Sequence, residues 1–130
     1  METYSIAAVG FGAAAGAWLR WFLGLRLNPI FPTLPLGTLA ANLIGGLLVG
    51  VAVAWFDRHP QVAPQARLFV ITGFMGGLTT FSTFSSEVVS LLLRREYLWA
   101  LGTAGVHLFG SLLLTGLGIA LVALLYKSAA

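Results

Sequence analysis

The side chains able to do chemistry in this sequence are few, mostly neutral, and spaced at helical intervals. Thr38 and Asn42 stand four residues apart, as do Ser111 and Thr115, so each pair shares a helix face and makes a short polar track. Phe81 and Phe84 are three apart, among Thr80, Ser82 and Thr83. Amides and hydroxyls donate hydrogen bonds to an anion without the tight capture of a full charge, and a phenyl ring is positive at its edge. Asn42 either bonds a neighbouring helix or turns its amide donors to a partly dehydrated anion. The two rings either pack against lipid and core or line a pathway edge-on. Cysteine is absent, so disulfides, thiol catalysis and cysteine-ligated metals are excluded.

The ionisable residues are read one at a time. Arg20 lies near the end of an apolar stretch, where it either snorkels to the interface or attracts anions at a vestibule. Glu87 is expected to pair with an arginine rather than to act in catalysis. His107 has no potential co-ligand nearby in sequence and reads as structural. The run from Gly73 to Glu87 is poor in strong helix formers around Gly76-Gly77-Leu78-Thr79. A break there frees backbone carbonyls, which are tolerated at membrane depth only in a protein interior, on a cavity or around an ion. Hard oxygen ligands of this kind suit sodium better than a soft metal.

These residues sit in a chain that is 58% hydrophobic and 8% charged, against about a quarter charged in soluble domains. Lipid must therefore solvate its surface. The 130 residues divide into four apolar spans near residues 4–25, 34–56, 66–93 and 97–126, within a single transmembrane domain 1–130. Tyr4, Trp18, Trp21, Trp55, Tyr97, Trp99 and Tyr126 mark span ends at headgroup level. The first span lacks a basic leader and a cleavage site, and reads as retained. The third, about 28 residues, would reach roughly 42 Å across a core of about 30 Å, so a tilt or a break must absorb the excess. Gly12/Gly16, Gly46/Gly50 and Gly73/Gly77 follow the small-xxx-small pattern of close helix contacts, within or between subunits.

The net charge of +3 is scattered, with no patch suited to nucleic acid. Arg58, Arg67 and Lys127 lie on one side; Arg26, Arg94 and Arg95 lie on the other, joined by Arg20 if it faces that way. This balance sets no orientation. Either a weak bias still chooses one, or the chain inserts both ways and pairs with its inverted copy about an axis in the membrane plane.

Gly16-Ala17-Trp18-Leu19-Arg20, Gly37-Thr38-Leu39 with Asn42 and Gly45, and the long run Gly76-Gly77-Leu78-Thr79-Thr80-Phe81-Ser82-Thr83-Phe84 carry a resemblance over nearly the whole chain. They resemble the Fluc (CrcB-like) fluoride ion channels, with Trp21 where that family often has tyrosine. The resemblance implies an all-α membrane protein of four helices per subunit, the third broken at mid-membrane, in an antiparallel dual-topology homodimer with two pores. It implies passive, selective fluoride export across the cell inner membrane, with no enzymatic step. It implies a structural sodium ion held centrally by the backbone carbonyls of Gly76 and Thr79 from both subunits. Along the pores it places Asn42, Phe81 and Phe84 with Thr38, Ser82, Thr83, Ser111 and Thr115, and Arg20 at the vestibule. A small multidrug exporter shares the length and the dual topology but needs a carboxylate deep in its first span, where this chain has only Glu2 at the edge. A membrane assembly subunit without transport is the remaining class.

Overall fold

The computed structural model describes residues 1–129, and every described element is helical. Helix α1 (Glu2–Leu27) ends in a short 3₁₀ turn, Asn28–Ile30, and α2 (Leu36–Arg58) follows. The third span starts with α3 (Pro64–Arg67), widens into a π-helical stretch, Leu68–Met75, and closes with the turn α4 (Gly76–Leu78). Then Thr79 (φ −81°, ψ 153°) and Thr80 (φ −149°, ψ 119°) are extended, and α5 (Phe81–Leu93) begins. Helix α6 (Tyr97–Ser128) completes the chain. Four helical segments are long and apolar enough to cross a membrane: Glu2–Ile30, Leu36–Arg58, Pro64–Leu93 and Tyr97–Ser128.

Glycine sets the packing. Where α1 crosses the third span, Gly12 lies against the backbone of Phe69, Gly73 and Phe74, and Gly16 against Phe74 and Leu78. From the opposite side Gly73 meets Val9, Gly12 and Ala13, while Gly77 meets Ala13. Two of the glycine pairs are therefore the two halves of one contact inside a single chain. Gly46 and Gly50 of α2 lie against Ser111 and Thr115 of α6, and Gly118 returns the contact against Leu47 and Val51. A Cβ would crowd the facing main chain at Gly46 and overlap it at the other positions, so backbones approach as closely as small residues allow.

The ends are held by local chemistry. Pro35 gives the α2 N-terminus no side-chain cap, and Asn28 Oδ1 supplies it from a distance, accepting from Gly37 N (2.8 Å) and Thr38 N (3.3 Å). Helix α5 stops at Arg95, whose φ of 61° turns the chain while Glu96 N donates to Leu91 O and Arg95 N to Leu92 O. That turn makes α5 and α6 an antiparallel hairpin. Near another span end, Trp55, His59 and Tyr126 form an aromatic cluster, with Arg58 over the Tyr126 ring. Phe31 meets Trp99 in the same way at 5.5 Å. Amphipathic rings gathered at helix ends suit the headgroup level.

Candidate functional site

The site is built on the two extended residues, because they break the ladder of helical hydrogen bonds. In an unbroken helix the N–H of Thr80 would return to Gly76 and that of Thr83 to Thr79. Here Thr80 N donates to Asn42 Oδ1 at 2.7 Å, and Thr83 N to Thr80 Oγ1 at 3.1 Å, capping α5. The carbonyls of Gly76 and Thr79 thus lose their helical donors. Neighbouring carbonyls are claimed by side chains. Gly77 O accepts from Arg20 Nε at 3.0 Å, and Thr80 O accepts from Asn42 Nδ2 at 3.0 Å. The donor set around the junction is hard, neutral oxygen. It fits a monovalent cation such as sodium; no group of three or more His, Cys, Asp or Glu that could hold a metal occurs among the described residues.

Beside the junction lies an open groove of about 630 Å³ walled by α2, the third span and α6. Its walls include Asn42, Gly76, Thr79, Phe81, Phe84 and Ser111. Six of the residues singled out in the sequence thus meet on one surface. Phe81 and Phe84 stand 5.5 Å apart, ring centre to ring centre, at 61°. Phe84 leans on the His107 ring at 4.7 Å, while Phe81 is 80% exposed on the outer lip.

Other expected residues lie off the groove wall, and two of them have committed their hydroxyl protons. Thr38 Oγ1 donates to Glu87 Oε1, and Thr115 Oγ1 to Gly46 O at 2.9 Å. Thr80 and Ser82 share a hydroxyl contact of 3.3 Å; Thr83 contributes its N–H to the cap. Arg20 is tied to Gly77 rather than standing free at a helix end. Among the described residues Glu87 does not pair with an arginine; its partner is Thr38 of α2. Asn42 is the most heavily used of all. Its oxygen takes Thr80 N–H, and its two amide protons go to Thr80 O and His107 Nδ1, the latter at 3.0 Å.

His107 was the residue that sequence reasoning left aside. It is 4% exposed, forms part of the groove wall, and its Nε2 is buried without a partner among the described residues. A signal existed. Thr103, His107, Ser111 and Thr115 repeat at four-residue steps, so the track read at Ser111 and Thr115 continues two turns earlier. Helices α2 and α6 run in register, with Asn42 against His107, Gly46 against Ser111 and Gly50 against Thr115. The same register puts Thr38 level with Thr103. Beside them, the Glu87 Oε2 and Thr103 Oγ1 atoms are buried and also have no partner among the described residues. A polar column therefore runs beside the junction, through a protein whose outer surface is apolar.

Residues 7–119 match the family described as CrcB-like protein, Camphor Resistance (CrcB). Curated relatives cover most of the chain. A Nitrosospira multiformis protein is 60% identical over 119 residues, 92% of this chain and 93% of its own length. A Thiobacillus denitrificans protein is 66% identical over 111 residues, 85% and 90% of the two chains. A third, from Tolumonas auensis, is 56% identical over 125 residues, covering 96% and 98%. Each of the three carries the name fluoride-specific ion channel FluC.

Proposed function

The chain belongs to the CrcB-like protein family, and on that premise we propose that it is a fluoride-specific channel carrying the anion passively out across the cell inner membrane. Fluoride enters cells as the neutral weak acid and ionises inside, where lipid traps it. A membrane potential supplies about 2.3 kcal/mol per charge per 100 mV, roughly a fiftyfold concentration ratio, so an open path suffices for export. Such a path must replace part of the hydration shell of a small ion yet hold it weakly enough to let go.

The observation that carries this reading is the groove, which gathers Phe81, Phe84, Asn42 and Ser111 beside a helix interruption and offers no charged side chain on its wall. Phenyl edges supply modest positive potential, and the Ser111 hydroxyl on the wall is a neutral donor. Thr38, Ser82, Thr83 and Thr115, which lie off the groove wall, would line its approaches. Arg20 holds Gly77 through its guanidinium, which draws anions toward the vestibule. The groove is open along one side, and a second copy of the chain, inserted the other way, closes it into one of two pores. The third span, interrupted at Thr79 and Thr80, lies at the dyad. Carbonyls of Gly76 and Thr79 from both copies would hold a sodium ion there, whose charge would offset the released carbonyl dipoles.

Purified protein in potassium-loaded liposomes tests the function. Valinomycin should start fluoride efflux, followed with a fluoride electrode, and matched chloride-loaded liposomes should stay sealed. Liposomes that release neither ion, or both alike, would overturn it.

A further inference from the structure

The two carbonyls released at the break are aimed by different means. Gly76 opens the helical turn α4 (φ −62°, ψ −39°), and that turn sets its direction. Thr79 has left the helix at ψ 153°, and the Thr83 N–H that a helix would place on its carbonyl caps α5 instead. What remains to fix Thr79 is its own N–H and its side chain. The N–H and Oγ1 both donate to Met75 O, at 3.0 and 2.8 Å. The second branch, Cγ2, enters a socket on α2. Gly45 is buried there, and a Cβ on it would overlap Thr79 Cγ2. Along the same helix, Gly46 and Gly50 face the main chain of α6, as close packing requires, whereas Gly45 faces side-chain atoms of Thr79 and Leu78. Its missing side chain therefore serves the break rather than the α2–α6 contact.

We propose that Gly45 is a positioning residue for the cation site: by seating the Thr79 methyl group it aims the Thr79 carbonyl. The inference rests on the sodium reading above and deepens it. Thr79 is β-branched, so Oγ1 and Cγ2 turn together about one bond. A methyl group at Gly45 would swing Cγ2 out of its seat and carry Oγ1 off Met75 O. The main chain of Thr79 would then lose its side-chain anchor, and its carbonyl would leave the direction that a cation shared with a second copy requires. The carbonyls of Gly77 and Thr80 are not free to take its place, since Arg20 and Asn42 already donate to them.

The test titrates sodium into choline chloride at constant ionic strength and follows thermal unfolding of the purified chain in detergent. Sodium should raise the wild-type midpoint. Gly45→Ala should need about tenfold more sodium for the same rise. Thr79→Ser removes Cγ2 and keeps Oγ1, so it empties the seat that Gly45→Ala fills. In that background Gly45→Ala should change the sodium requirement by less than about twofold. That comparison stands even where Gly45→Ala alone does not fold. A Gly45→Ala midpoint lowered equally at every sodium concentration would mark plain packing and overturn this inference alone. So would a double variant that needs about tenfold more sodium than Thr79→Ser, or one that does not fold. A wild-type midpoint indifferent to sodium would overturn the sodium reading and the seat together. Absence of wild-type fluoride efflux from liposomes, with the sodium response intact, would overturn the conduction reading alone.

Discussion

Phe81 and Phe84 are chemically alike but differently placed. Phe84 is wedged between Phe81 and His107, and Phe81 stands out on the groove lip. Isoleucine approaches the bulk of phenylalanine and lacks the positive ring edge. Phe84→Ile should therefore cut fluoride flux by a factor of ten or more while the purified protein elutes as before. Equal flux from variant and wild type would remove the ring-edge role. That the two rings share a face was legible from their spacing, since three residues of helix suffice to align them. The partner of Arg20 was not legible, because 57 positions separate it from Gly77. Nor was the pairing of Glu87 with Thr38, which depends on how α5 lies beside α2 and α6.

Helices show the same division. The third span was too long for the bilayer on sequence grounds, with tilt or a break as the remedy. The structure adds a π-helical stretch at Leu68–Met75, whose wider turns advance less per residue and take up part of the excess. No residue type marks such a stretch; it arises where the span lies against the glycine face of α1. The glycine spacings themselves were readable, and packing showed that their contacts lie inside one chain. A methyl group at Gly50 would overlap the Thr115 carbonyl, whereas one at Gly10 meets nothing within 4 Å. Gly50→Ala should destabilise the protein by about 1–3 kcal/mol. Gly10→Ala should leave stability within about 0.5 kcal/mol. Thermal unfolding in detergent measures both, and equal midpoints for the two variants would discount the close α2–α6 approach.

For the molecule as a whole, orientation is the open physical question, and charge is what answers it. Two of the basic loop residues are partly offset by acids, Arg67 by Asp57 at 3.2 Å and Arg94 by Glu96 at 3.3 Å, one on each side. The balance between the sides is left as even as before. Dual insertion then predicts that about half the molecules expose their C-terminus outward. Because cysteine is absent, Ser128→Cys provides a single exposed thiol. A membrane-impermeant maleimide should label about half of it in intact spheroplasts and all of it after lysis. Complete labelling, or none, before lysis would establish one fixed orientation.

Class, helix number and family follow from features contiguous in the chain: apolar runs of bilayer length, and the motif from Gly76 to Phe84. Such features need no knowledge of what packs against what. The state of each donor is another matter. The sequence leaves open whether Asn42 bonds a neighbouring helix or meets an anion, and shows Thr38 and Thr115 only as members of polar tracks. Folding commits their protons to Thr80, His107, Glu87 and Gly46, between 38 and 69 residues away. A hydroxyl or amide proton is donated once, so the contacts made across helices settle which groups remain to meet an ion.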